Sequence, residues 1–183
     1  MTVRPIIFSG PMVRALLDGR KTMTRRLASS PLAKAQAGDL LWVRESWWHD
    51  KDGGDVANEY GYLADGYYPG HGSNCGHVRH RPSIHMPRWA SRLTLEVTGV
   101  KVERLQDISE EDAIAEGIRP WKLGWHSQED HEHIGWKSPA IAFRDLWNRL
   151  HGPDAWDANP WVVAISFTVH KANVDALIER RAA

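Results

Sequence analysis

The stretch Arg92-Leu93-Thr94-Leu95-Glu96-Val97-Thr98-Gly99-Val100-Lys101-Val102-Glu103-Arg104-Leu105 alternates apolar and polar side chains over most of its length. Successive side chains of a strand point to opposite faces, so this period predicts one long half-buried strand, kinked at Gly99. Ser109-Glu110-Glu111-Asp112 follows as a capping box, with Ser109 as N-cap and Asp112 as the returning acid. The helix it opens runs through Ala113, Ile114 and Ala115 to Glu116, and Gly117 closes it.

Upstream of this pair, Gly38-Asp39 is a turn signal and Leu40-Leu41-Trp42-Val43 a strand. Ile6-Ile7-Phe8 reads as a buried strand ended by Ser9-Gly10-Pro11. Pro11 suits the first turn of a helix, whose apolar face is Met12, Val13, Leu16 and Leu17, and Gly19 stops it. The segment from Lys21 to Arg26 leaves that helix end and runs into a strand. Downstream, Ile141 to Leu150 is an amphipathic helix, Trp161 to Phe167 a core strand, and the tail from Lys171 helical. Residues 49–82 and 119–139 are irregular insertions, the first holding a strand at Tyr60–Ala64. Several strands, a few short helices and no βαβ rhythm predict an α+β fold around a small curled sheet or barrel. One domain spans residues 1–170 and the tail 171–183.

With 183 residues, 42% of them hydrophobic, the chain can bury a core. Its apolar runs are too short to span a bilayer, and Met1-Thr2-Val3-Arg4-Pro5 has no secretory core. Cys75 is the sole cysteine, so an intrachain disulfide is excluded and a reducing cytoplasm fits. Lysines and arginines number 23 and so do the acids, which excludes reliance on bulk attraction to long nucleic acid. The charge is nevertheless segregated. Arg14, Arg20, Lys21, Arg25 and Arg26 form one basic patch and Arg79, Arg81, Arg88 and Arg92 another, with acids gathered at 103–116. That pattern suits a small anionic or nucleotide-like ligand.

Gly19-Arg20-Lys21-Thr22-Met23-Thr24-Arg25-Arg26 holds the candidate chemistry. Neighbouring cations disfavour the charged form of Lys21, and a neutral amine beside a threonine hydroxyl is a general base for a nucleophile. The arginines could hold a phosphate or a base edge. The bland reading is a basic, solvated turn. In a regular strand Lys21 and Thr24 diverge, so they meet only if a turn follows Gly19 or the lysine stem curls back; Thr22 is the competing hydroxyl.

Taken in order, Gly19-Arg20-Lys21-Thr22-x-Thr24, Gly38-Asp39-Leu40-Leu41-Trp42-Val43, the strand ending Val102-Glu103-Arg104-Leu105 and the helix Asp112-Ala113-Ile114-Ala115-Glu116-Gly117 resemble an ASCH domain of the PUA-like superfamily. Arg81-Pro82-Ser83-Ile84-His85-Met86-Pro87-Arg88-Trp89-Ala90-Ser91-Arg92 resembles its longer, phage-associated branch. The resemblance implies a small β-barrel with a few short helices and a nucleic-acid-related ligand. Some members remove the acyl group from N4-acylcytidine with a Lys, a Thr and a Glu; others are described as RNA-binding or RNA-cleaving. By motif the catalytic residues are then Lys21, Thr24 and Glu116. Oxyanion donors would come from the turn at Ser9 or from Arg26. Arg44 and Glu45 would line the pocket, Trp47 and Trp89 could stack on a base, and His85 would lie near the cleft. A modified nucleoside or RNA is the expected partner, with no membrane and no cofactor. His71, Cys75, His77, His80 and His85 match no regular zinc spacing and read as a polar loop, so no metal is expected.

Overall fold

A computed structural model describes residues 1–50, 60–66, 78–121, 123–127 and 135–182. The chain divides into two compact units. One comprises residues 1–2, 15–39 and 96–169, the other residues 3–14, 40–95 and those from His170 onward.

In the first unit, strand β7 (Thr94–Arg104, from Glu96 onward) lies beside β10 (Trp161–His170), which lies beside β2 (Met23–Leu27). β10 and β2 are antiparallel, with Thr24 opposite Ile165, Arg25 opposite Ala164 and Arg26 opposite Val163. Val162 to Ile165 are all buried, as a central strand requires. Helix α2 (Glu110–Ala115) begins where the sequence placed it, the Ser109 hydroxyl accepting from the Asp112 N–H at 3.1 Å. Helix α3 (Pro139–His151) is capped by the Ser138 hydroxyl and buries Phe143, Leu146 and Trp147, while Leu150 is exposed.

The expected kink at Gly99 is a slip of the sequence pattern, not of the strand. The odd positions Leu95, Val97 and Glu103 are buried, whereas Val100, Lys101 and Val102 are all exposed. Backbone alternation overrides side-chain type, and a carboxylate is carried to the inner face. The stretch expected to be irregular from 119 holds a short antiparallel pair, β8 (Arg119–Trp121) and β9 (Gly124–His126). Strands of three residues are too short to show a period.

In the second unit, β1 (Val3–Ile7) runs parallel to β3 (Leu40–Arg44), with Val3 opposite Leu40, and β3 meets the start of β7 through the Val43 N–H donating to the Leu93 carbonyl at 2.9 Å. The tail forms α4 (Val174–Ala182), whose Val174 and Leu177 pack on Leu40 with Val3 and Trp42. Inside the insertion expected at 49–82, β5 (Tyr60–Tyr62) and β6 (Val78–Arg81) flank β4 (Trp47–Asp50) in an antiparallel sheet ordered β5-β4-β6.

The fold is thus mixed α+β. The small closed barrel implied by the resemblance is not formed by the described strands: the sheets are open, with β1, β2, β5 and β6 all edge strands.

Candidate functional site

Gly19 adopts φ +73°, a conformation glycine reaches without steric cost, and turns the chain out of helix α1 (Gly10–Leu17). The N–H groups of Arg20 and Lys21 both donate to the Ala15 carbonyl, and Thr22 donates to the Ala115 carbonyl at 2.8 Å. Strand β2 begins only at Met23, so Lys21 precedes it and escapes strand alternation. Its side chain, 1% exposed, points to the end of α2. The Nζ donates to the Glu116 carbonyl oxygen at 2.8 Å and to Glu116 Oε2 at 2.7 Å. Gly117, at φ +102°, lets the chain close over that lysine, since a Cβ there would sit 3.3 Å from Ala15 Cβ and 3.5 Å from Lys21 Cβ.

The other oxygen of Glu116 belongs to Arg25. Arg25 Nη1 reaches Glu116 Oε1 at 3.4 Å, Nη2 donates to Glu103 Oε1 at 2.7 Å, and Nη2 also bonds Asp112. Burial works against the Arg25 charge, but Glu116, Glu103 and Asp112 outweigh it and move its pKa up. Lys21 moves the other way. Burial penalises the ammonium more than Glu116 supports it, and Arg26 and Arg25 add repulsion, so its pKa falls below the ordinary lysine value. Burial likewise lowers Arg26, against the pull of Glu116. The arrangement keeps an amine of weakened basicity next to a carboxylate, both of them buried.

Thr24 is buried on β2 opposite Ile165, on the face of the strand away from Arg25. Among the described residues its hydroxyl makes no hydrogen bond, to Lys21 or any other group. Thr22, the competing hydroxyl, is exposed. Of the residues singled out from sequence, then, Lys21 and Glu116 are in direct contact, Arg26 is electrostatically coupled to both, and Thr24 lies three residues along without a bond to them.

The remaining candidates belong to the second unit. Ser9 is exposed, its carbonyl accepting the Val13 N–H at the start of α1. Arg44 stacks over Trp42 at 5.4 Å and donates to the Ile84 carbonyl. Glu45 is buried and held by Arg92, through Nε at 2.9 Å and Nη2 at 3.0 Å; burial raises its pKa despite that arginine. Arg92 also grips Asp65 and lies 3.9 Å over the Tyr62 ring. Trp47 is buried against Met86 and Ala90, whereas Trp89 and His85 are exposed. His71, Cys75 and His77 lie outside the described residues. Among the described residues no group of three metal-ligating side chains converges.

Sequence reasoning set Arg25 among the cations around Lys21 but did not reach Glu103 or Asp112 as its partners, nor Arg92 and Asp65 as partners of Glu45. Counting by twos from Leu93, Leu95 and Val97 was the available signal: it lands on Glu103, an acid at an inward position that demands a cation.

No family profile matches the chain, and no curated protein matches it. Two solved structures resemble it. The hypothetical protein PH0355 shares 13% identity, covering 93% of this chain and all of its own, at a TM-score of 0.45. An ASCH domain from Lactobacillus crispatus JV V101 shares 16% identity, covering 92% of this chain and 79% of its own, at a TM-score of 0.43.

Proposed function

We propose that the chain is an ASCH-type amidohydrolase that removes the acyl group from N4-acylcytidine, as the free nucleoside or within RNA. The observation that carries this reading is the Lys21–Glu116 contact: a nearly inaccessible amine, its pKa pushed down by burial, with Nζ 2.7 Å from a carboxylate. An ordinary lysine, near pKa ~10.4, is almost wholly protonated at neutral pH and cannot serve as a base. In this reading neutral Lys21 takes the proton of the Thr24 hydroxyl, and the oxygen attacks the acyl carbon. The tetrahedral intermediate expels the N4 amine of cytidine, which takes up the proton held by Lys21, leaving an acyl ester on Thr24. Water, deprotonated by Lys21, attacks the acyl carbon; the ester bond breaks, the carboxylic acid leaves, and the Thr24 oxygen takes the proton back from Lys21. Glu116 orients Lys21, and Arg25 fixes the far oxygen of Glu116. Arg26 supplies positive charge for the oxyanion.

The test is incubation of the purified chain with a panel of N4-acylcytidines, following cytidine release by chromatography. Release that falls by about 10²-fold or more in both Lys21→Ala and Thr24→Val, with unchanged circular dichroism, supports the proposal. Folded wild-type chain that releases no cytidine across the panel overturns it, and a fully active Thr24→Val removes Thr24 as nucleophile.

A further inference from the structure

Glu103 ties the Lys21 cluster to a surface cation that the proposed mechanism does not use. Lys101 lies two residues before Glu103 on β7, and its side chain is 66% exposed. Its Nζ stands 2.5 Å from Glu103 Oε2, and among the described residues no other hydrogen-bond donor meets that buried oxygen. The other oxygen, Oε1, accepts from Arg25 through Nη2 at 2.7 Å and Nε at 3.1 Å. Arg25 Nη1 reaches Glu116 Oε1 at 3.4 Å, and Glu116 Oε2 accepts from Lys21 Nζ at 2.7 Å. Charges of alternating sign therefore run from solvent to the buried amine in the order Lys101, Glu103, Arg25, Glu116, Lys21. All five belong to the first unit.

Glu103 is thus shared between an exposed cation and a buried one. Without the Lys101 charge, Arg25 alone answers Glu103. The guanidinium is then drawn toward Glu103 and away from its longer contact with Glu116, which leaves Glu116 to support the ammonium form of Lys21. The direct effect has the same sign: one cation fewer makes the cluster more negative, which favours protonation of its amine. The other charges around Lys21 stay in place. They are Asp112 and Glu116 on α2, Arg25 and Arg26 on β2, and Arg20 in the preceding turn, bridged to Asp18. From α3, Phe143 lies against Arg25 and His151 is coupled to Arg26. From β10, uncharged Ala164 and Ile165 stand opposite Arg25 and Thr24. Lys101 feels the same cluster, since Asp112 and Arg25 act on its ammonium along with Glu103.

We infer that Lys101 is a positioning residue for the Lys21 centre, a surface charge that acts through Glu103, Arg25 and Glu116 to favour the neutral form of the buried amine. The consequence for turnover rests on the amidohydrolase reading; the coupling between the two lysines does not.

The experiment is urea unfolding of the full chain from about pH 7 to about pH 11, for wild type, Lys101→Gln and Lys101→Arg. The onset of the alkaline rise in stability marks the titration of Lys21 in the folded chain. Lys101→Gln is expected to move that onset up by roughly 0.5–1 pH unit and Lys101→Arg to leave it in place. In a Lys21→Met background Lys101→Gln should move nothing. Glu103 raises the pKa of Lys101 itself above 10.5, so its own titration lies beyond this window. The rising pH limb of cytidine release should move by the same amount, a loss of roughly three- to ten-fold along it. An onset that stays in place, or a stability loss equal at every pH, overturns the inference, since a purely structural ion pair behaves in that way. So does a shift that persists without Lys21, or a release limb that stays while the onset moves. If no cytidine is released and the onset still moves, the amidohydrolase reading fails and the coupling stands.

Discussion

Lys21 Nζ is bonded twice to one residue, to the backbone carbonyl and to the side-chain carboxylate of Glu116, across 95 positions of sequence. The backbone bond fixes the amine at the end of α2 whatever the state of the carboxylate. Protonation of Lys21 can therefore change without the lysine leaving its place.

The first consequence is a pH dependence. Burial lowers the Lys21 pKa in the folded chain below its unfolded value of 10.5. Between those two values the unfolded chain holds one more proton than the folded one. Stability therefore rises with pH across that window, and below it the buried ammonium is a standing cost. Urea unfolding at a series of alkaline pH values should show this rise in wild type and lose it in Lys21→Met. Cytidine release, if Lys21 is the base, should increase with pH along a limb whose midpoint lies below 10.5.

Arg25 should be the most costly single position in the first unit. Its guanidinium has no solvent exposure and bonds three carboxylates, of Glu103, Asp112 and Glu116. Arg25→Met leaves Glu103 and Glu116 buried without that cation, and breaking a buried pair from one side costs about 3–5 kcal/mol. The double variant Arg25→Met with Glu103→Gln should recover part of that loss, measured by the same unfolding titration.

Gly117→Ala should destabilise by about 1–3 kcal/mol. The residue adopts φ +102°, and the added methyl meets Ala15 and the stem of Lys21. Because the strain falls on the segment that closes over Lys21, activity should fall more steeply than stability when both are measured on one preparation.

Glu45 supplies a second titration with the opposite sign. Burial raises its pKa above 4.5 although Arg92 holds both oxygens. Between 4.5 and that raised value the folded chain carries the extra proton, so this group makes stability fall as pH rises through the window. Glu45→Gln should remove that acid-side slope while leaving the alkaline rise of Lys21 in place.

Much of the fold is legible because its signals are local. The Ser109 cap and the Gly117 stop bracket α2 in four to eight residues of sequence, and the structure places both there. The strand from Thr94 follows from its alternation of apolar and polar residues. The β4 and β6 strands and the β8–β9 pair were not legible. Each is three or four residues long, and β4 draws its partner strands from 60–62 and 78–81.

The Lys21 segment marks the boundary between the two kinds of information. Sequence by itself determined that an amine, two hydroxyls and three arginines would crowd a helix end, and that a glycine would turn the chain there. Only the tertiary structure decided which carboxylates answer those cations. It set Glu116 on Lys21, gave Glu103 to Arg25, and left the Thr24 hydroxyl without a hydrogen bond among the described residues. Local chemistry fixes which charges a segment carries. Their pairing depends on which strands and helices bury them together, because a charge removed from water must find its partner in whatever the fold brings alongside.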